Sequence, residues 1–197
     1  MSATSLPSSP RLDQIEAIAI GGSAGAVEAL NTLLPALRAG LPMPVFVVLH
    51  LPRDGPSLLP QIFQHLCRLR TAEAEHGEPI EPGTVYFAPP DYHLLVDRGP
   101  QIALSVDEPV HFSRPSIDVL FESAADLYGP GLLGIVLTGA SKDGAQGLSA
   151  IARAGGTTIV QHPESAAVDT LPLAALREAR VDHVLHPVGI AECLASL

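Results

Sequence analysis

The sequence contains no tryptophan, and aromatic residues make up only 4% of its 197 residues. Apolar residues nevertheless account for 47% of the chain, so the core must be built mainly from alanine, valine, leucine and isoleucine. A chain of this length can form one domain, or at most two small ones, with a substantial core. This aliphatic composition suits a parallel sheet that is covered by helices.

Basic residues are also scarce: 11 lysines and arginines stand against 21 aspartates and glutamates, which gives a net charge of −10. No basic cluster offers a track for phosphates, so we expect no nucleic-acid partner. Because the apolar runs are only as long as a strand, we expect no membrane insertion. Cys67 and Cys193 lie far apart and, like the scattered histidines, lack metal-binding spacing, which fits a cytoplasmic protein without a metal or other cofactor.

The order of the segments predicts one folded domain after a short tail. Residues 1–12 are expected to be a disordered tail, because they are rich in serine and proline and lack the features of a signal peptide. In residues 13–197, strand-length apolar runs alternate with segments of helical spacing. This alternation predicts an α/β fold with a doubly wound, mainly parallel sheet flanked by helices. Short runs at 93–96 and 102–106 predict an antiparallel hairpin at one edge.

A serine occupies a tight turn near the start of this domain. The apolar run from Ile15 ends in Gly21-Gly22-Ser23-Ala24-Gly25, and helical spacing follows. Small residues around a serine are typical of a nucleophile on a sharp strand-to-helix turn, close to unpaired helix amides. Two alternatives stay open. Ser23 could be an ordinary helix N-cap, or the turn could bind a dinucleotide, although the G-x-G-x-x-G spacing is broken at Ser23.

Three polar residues each follow an apolar strand by a few positions: Ser23, His50 and Asp143. The carboxyl ends of parallel strands meet at one edge of a sheet, where ligands bind. A serine, a histidine and an aspartate are the nucleophile, general base and orienting carboxylate of a catalytic triad. Taken singly, the histidine could be an ordinary loop residue and the aspartate a helix cap. Their joint position at one edge favours the triad.

The order and content of several motifs, spread from Ile18 to about Ala191, resemble the catalytic domain of the CheB family of chemotaxis receptor protein-glutamate methylesterases. The matching segments are IGGSAG (20–25), VLHLP (48–52), GE (77–78), PGTVYFAPPDYH (82–93), RPSIDVLF (114–121), LTGASKDGA (137–145) and GGTTIVQ (155–161). The resemblance implies that Ser23, His50 and Asp143 hydrolyse γ-glutamyl methyl esters on the cytoplasmic domain of methyl-accepting chemoreceptors. It also implies that some members deamidate receptor glutamines.

Further residues are interpreted in the light of this resemblance. The backbone N–H groups of Ala24 and Ala140 would hold the oxyanion. Arg53 and Arg114 are candidates for guiding acidic receptor helices to a negatively charged enzyme, with surface or salt-bridge roles as the alternative. Ser116 and Asp118, at the start of a predicted helix, are interpreted as helix caps.

The sequence also departs from the family pattern. Ala140 and Ser141 replace a usual Met-Gly pair, and Leu171 replaces a usual methionine before Pro172. The residues before the domain leave no room for the family's receiver domain, so we expect a standalone domain, regulated by a separate response regulator if at all. An alternative function is a catalytically weak or inactive module that binds receptors or a signalling partner. Nucleotide binding is a more distant third.

Overall fold

A seven-stranded sheet, parallel throughout, forms the centre of the protein. The structure, a computed structural model, describes residues 14–50 and 57–197, so the expected tail at 1–12 lies outside the described residues. In spatial order the sheet contains β3 (Arg70–Glu73), β4 (Thr84–Phe87), β2 (Val45–Leu49), β1 (Ala17–Gly22), β7 (Leu132–Val136), β8 (Thr157–Gln161) and β9 (His183–Leu185). The order reverses beside β1, as expected for a doubly wound sheet.

Alternating side chains along each strand divide the core between two faces. In β1, Ile18 and Ile20 contribute to one apolar cluster, while Ala17 and Ala19 contribute to the other. The first cluster includes residues of α1 (Ala26–Leu33), α2 (Leu59–Gln64) and α6 (Pro187–Ala195). The second includes residues of α3 (Ile117–Tyr128), α4 (Ala145–Arg153) and α5 (Thr170–Glu178). Helices therefore cover both faces, which confirms the predicted fold class.

The predicted hairpin is present, formed by β5 (His93–Asp97) and β6 (Gln101–Ser105). It is a separate two-stranded antiparallel sheet that packs against α3, and it is not hydrogen-bonded into the main sheet. The edge strand β3 was not predicted from the sequence. Its residues, Arg-Thr-Ala-Glu, are exposed or half-buried at the edge of the sheet. An edge strand of this kind does not need the apolar sequence pattern of an inner strand, and this segment lacks that pattern.

Candidate active site

Strand register places Ser23 and His50 side by side. Gly22 of β1 lies opposite Leu49 of β2, so the next residues, Ser23 and His50, leave the same edge of the sheet on neighbouring strands. Backbone hydrogen bonds continue past the strand ends, from His50 N–H to the Gly22 carbonyl at 3.2 Å and from Ser23 N–H to the Thr138 carbonyl at 3.0 Å. The serine turn therefore lies between the segments that follow β2 and β7.

The absence of side chains around Ser23 allows this turn to form. A Cβ atom on Gly139 would lie 2.8 Å from Ser23 Cβ, and one on Gly22 would lie 2.5 Å from Ala26 Cβ. Gly25, at φ +82°, is the N-cap residue of α1, and no side chain caps this helix end. Ser23 is therefore not the N-cap, which removes the plainer of the two alternatives raised by the sequence.

His50 contacts Asp143 directly. The His50 Nε2 atom lies 2.6 Å from Asp143 Oδ2, and the aspartate side chain is completely buried. Three further donors point at the same carboxylate: Ser116 Oγ at 2.6 Å, Ile117 N–H at 2.7 Å and Asp118 N–H at 3.1 Å. The carboxylate thus accepts four hydrogen bonds, two of them from the first turn of α3, where the helix dipole favours negative charge.

These donors keep the Asp143 carboxyl ionised. Burial alone would raise its pKa, but the hydrogen bonds from His50, Ser116 and the two helix amides outweigh burial and lower the pKa. Because an ionised carboxylate can only accept, His50 Nε2 carries the proton of their shared hydrogen bond. The lone pair of the neutral imidazole is then on Nδ1, which makes Nδ1 the atom available to act as a base.

The Nδ1 atom of His50 faces a second serine. Ser113 Oγ lies 3.5 Å from it, whereas no hydrogen bond joins Ser23 Oγ to His50 within residues 14–50 and 57–197. The structure therefore pairs His50 with Asp143 and places Ser23 beside His50 on the neighbouring strand. Hydroxyl-to-imidazole contacts of this kind are often long in the absence of substrate.

Asp118 and Asp143 make reciprocal hydrogen bonds, because each accepts from backbone amides at the start of the helix next to the other. Asp143 precedes α4 and binds the amides at the start of α3, while Asp118 lies in α3 and its Oδ1 accepts from Gly144 N–H at 2.9 Å and Gly147 N–H at 2.6 Å, at the start of α4. Burial, with a smaller contribution from Asp143, raises the pKa of Asp118 to about 6. The sequence predicted a cap at Asp118, but it gave no sign that this residue caps α4 instead of its own helix.

A buried histidine supports the donors of Asp143. His93 Nδ1 accepts a hydrogen bond from Ser116 N–H at 3.1 Å, and Nε2 lies 3.2 Å from the Glu108 carbonyl, so Nε2 carries the proton. Ser116 is the N-cap of α3, as predicted, since its Oγ accepts from Val119 N–H at 3.4 Å. His93 is thus a buried histidine with a structural role.

The loop after β7 presents backbone donors near Ser23. Gly139 N–H donates to the Val168 carbonyl at 3.0 Å, and Leu171 N–H donates to the Gly139 carbonyl at 2.9 Å, which fixes the start of this loop. Within the described part of the chain, the N–H groups of Ala24 and Ala140 have no hydrogen-bond acceptor. Two unpaired amides on the segments that flank Ser23 are suited to binding an oxyanion.

Of the two arginines predicted to guide acidic receptor helices, the structure describes only Arg114. Arg53 lies outside the described residues. Arg114 is only 18% exposed, and its guanidinium donates to Asp91 Oδ1 at 2.9 and 3.0 Å and to the carbonyls of Val106 and Asp107. Arg114 therefore holds together the loops on the hairpin side of the site, which is the salt-bridge alternative considered for it.

Residues 14–50 and 57–197 contain no cluster of three or more histidine, cysteine or acidic side chains able to hold a metal ion. In the same residues, no helix has the length and apolar character needed to cross a membrane.

Comparison with known proteins yields consistent matches. The family model for CheB methylesterase matches residues 18–194. A Leptospira interrogans protein named putative protein-glutamate methylesterase/protein-glutamine glutaminase is 43% identical over 92% of this chain and 94% of its own length. Protein-glutamate methylesterase/protein-glutamine glutaminase 2 of Caulobacter vibrioides is 37% identical over 96% of this chain but 56% of its own length. The crystal structure of the Thermotoga maritima CheB methylesterase catalytic domain superposes with a TM-score of 0.87, at 31% identity, over 92% of this chain and 98% of that one.

Proposed function

The chain belongs to the CheB methylesterase family, and we propose that it is a serine hydrolase of glutamyl methyl esters in which Ser23, His50 and Asp143 form the catalytic triad. The observation that carries the proposal is the 2.6 Å contact between His50 and the buried Asp143, at the sheet edge where Ser23 stands beside His50. The names of the relatives support the same substrate class and add glutamine as a second substrate.

The residues suit a two-step reaction. Ser23 Oγ attacks the ester carbonyl as His50 Nδ1 takes the hydroxyl proton, and the resulting imidazolium gives that proton to the departing methanol. His50 then removes a proton from water, which attacks the acyl-enzyme and releases the glutamate carboxylate and the Ser23 hydroxyl. A glutamine side chain would follow the same steps with ammonia as the leaving group.

Charge develops at two places during this reaction, and the site has a group for each. The ionised Asp143 stabilises the imidazolium without itself being protonated, because its four donors hold its pKa low. The tetrahedral oxyanion would be held by the N–H groups of Ala24 and Ala140. Since these donors belong to the backbone, the Ala140 and Ser141 departures from the family pattern leave them in place, and Leu171 fills the buried position beside Gly139.

We propose the methyl-accepting chemoreceptor cytoplasmic domain as the partner and the cytoplasm as the location. Arg53 stays a candidate for attracting acidic receptor helices. Arg114 would contribute indirectly, by fixing the loops next to the site, because its guanidinium is bound to protein groups. A separate response regulator is the proposed source of regulation.

The test is methanol release from a methylated chemoreceptor cytoplasmic fragment. We expect Ser23→Ala and His50→Ala to lower the rate by about 10⁴-fold or more, and Asp143→Asn by about 10³- to 10⁴-fold, since the asparagine would present the wrong hydrogen-bonding pattern to His50. Ser149→Ala, a half-exposed serine on α4, is the matched control and should keep the wild-type rate. A Ser23→Ala variant that still released methanol would overturn the proposal.

A second candidate, a module that binds receptors with little or no turnover, is favoured by one observation. In the described residues Ser113, and not Ser23, forms the hydrogen bond to the basic nitrogen of His50, at 3.5 Å. Receptor binding without methanol release by the wild-type protein would select this candidate.

A further inference from the structure

Next to His50, the chain makes a two-residue turn that leaves the aromatic ring of Phe112 exposed to solvent. Val110 and Ser113 exchange two backbone hydrogen bonds, at 3.1 and 2.8 Å, and the central residues are His111 and Phe112. The side chain of Phe112 is 98% exposed. We call residues 110–113 the 110–113 turn.

The backbone of this turn is unfavourable for the residues that occupy it. Both central residues have positive φ, +48° at His111 and +63° at Phe112, as in a type I′ turn, where asparagine and glycine are preferred. A side chain in this left-handed region destabilises the folded state unless its packing compensates. Phe112 is almost fully exposed, so packing against the described residues does not compensate for phenylalanine at this position.

Contacts on both sides hold the turn in place. His111 Nε2 lies 3.6 Å from Asp118 Oδ2, at the junction of α3 and α4. On the other side, Arg114 donates to the carbonyls of Val106 and Asp107 and to the carboxylate of Asp91. These contacts of His111 and Arg114 hold the backbone on both sides of Phe112 in place, while the ring of Phe112 stays exposed.

The turn also contacts the reaction centre, because Ser113 Oγ lies 3.5 Å from His50 Nδ1. A substrate side chain that reached His50 would bring its own backbone past the neighbouring Phe112. Net charge provides no attraction here, since a chain of net charge −10 repels an acidic receptor helix. Apolar contact is a source of affinity that the described residues of this surface do offer.

We propose that Phe112 is an apolar anchor that docks between aliphatic side chains of the receptor helix, next to the residue carrying the methyl ester, and so positions the ester at Ser23. This inference rests on the proposed function, and it assigns receptor binding to a residue outside the triad. Exposed aromatic residues at binding surfaces commonly contribute a large share of the affinity.

The experiment separates docking from chemistry. We expect Phe112→Ala to raise KM for the methylated receptor fragment by about 10- to 100-fold, with kcat changed much less. Hydrolysis of a small substrate, N-acetylglutamate γ-methyl ester, should change less than twofold. Val188→Ala, at another highly exposed apolar residue but on α6, is the matched control and should leave both substrates unaffected.

A second variant distinguishes a loss of receptor docking from a loss of folding. Phe112→Gly suits the positive φ, so its urea-unfolding midpoint should be equal to or above that of the wild type, while its KM for the receptor fragment rises as in Phe112→Ala. Binding of the receptor fragment to the inactive Ser23→Ala protein, with and without Phe112→Ala, provides a measurement that does not need turnover.

Three results would overturn the anchor: an unchanged KM and binding affinity, an equal loss on the small ester, or a self-association abolished by Phe112→Ala with receptor affinity intact. The failure of the proposed function looks different, because the wild-type protein would then release no methanol from the receptor fragment, while the binding measurement would still report on Phe112.

Discussion

The buried Asp118 makes stability depend on pH in a direction that a single substitution can test. Its side chain is 5% exposed, and its Oδ1 accepts from two amides at the start of α4. Its Oδ2 is buried and makes no hydrogen bond to the described residues; His111 Nε2 lies 3.6 Å away. Burial first, and then the neighbouring Asp143, raise the pKa from the ordinary value of 3.8 to about 6.

The sign and size follow from proton linkage. Between pH 3.8 and about 6, Asp118 holds its proton in the folded protein but has lost it in the unfolded chain, so the free energy of unfolding falls as pH rises through this window. The fall is complete above the folded pKa and amounts to about 3 kcal/mol. Asparagine resembles the protonated acid in shape and cannot ionise. Asp118→Asn should therefore be more stable than the wild type by up to about 3 kcal/mol at pH 7.5 and about half that at pH 5.

Urea unfolding, followed at pH 5, 6, 7 and 8, measures the difference between variant and wild type. Asp126→Asn, an exposed position on the same helix, is the matched control and should differ from the wild type by less than about 0.5 kcal/mol at every pH. An Asp118→Asn variant that is less stable than the wild type at pH 7.5, or a stability difference that does not shrink toward acidic pH, would contradict this linkage.

Two further substitutions test the supports of the site. Gly139→Ala should lower kcat for methanol release by at least about 100-fold, because its Cβ would lie 2.8 Å from Ser23 Cβ. The control is Gly189→Ala, whose Cβ would meet its neighbours at 3.6 Å or more, and it should keep the wild-type kcat. Equal losses of kcat in the two variants would contradict this prediction. His93→Ala should lower the free energy of unfolding by at least about 2 kcal/mol in urea titrations, since it leaves the buried Ser116 N–H unpaired; wild-type stability would show that the contact is dispensable.

The neighbouring positions of Ser23 and His50 could be predicted because they depend on strand ends. The apolar runs at 17–20 and 45–49, which precede Ser23 and His50, are of strand length and predict β-structure, and parallel pairing then sets the two residues at one edge. The hydrogen bond between His50 and Asp143 agrees with the same prediction. Local sequence was enough here because each residue lies within a few positions of a well-marked strand.

The remaining features depend on contacts between distant segments. The sequence around Asp118 resembles an ordinary helix start, and its bonds to Gly144 and Gly147 exist only because the first turns of α3 and α4 pack against each other. His111-Phe112 carries no signal for a type I′ turn, since the usual asparagine and glycine are missing. Strand β3 escaped prediction because an exposed edge strand needs no apolar pattern, and its pairing with β4 defines it.

The hydrogen bonds that Asp143 and Asp118 make to each other's helix starts connect the proposed triad to local unfolding of α3 and α4. The carboxylate that contacts His50 is also the group that binds the first amides of α3, so fraying of that helix end would release the aspartate of the proposed triad. Hydrogen exchange at the Ile117 and Gly147 amides should therefore proceed through a common opening, in which the proposed triad is disrupted. A ligand that loosened this helix junction would inhibit the reaction without entering the substrate site.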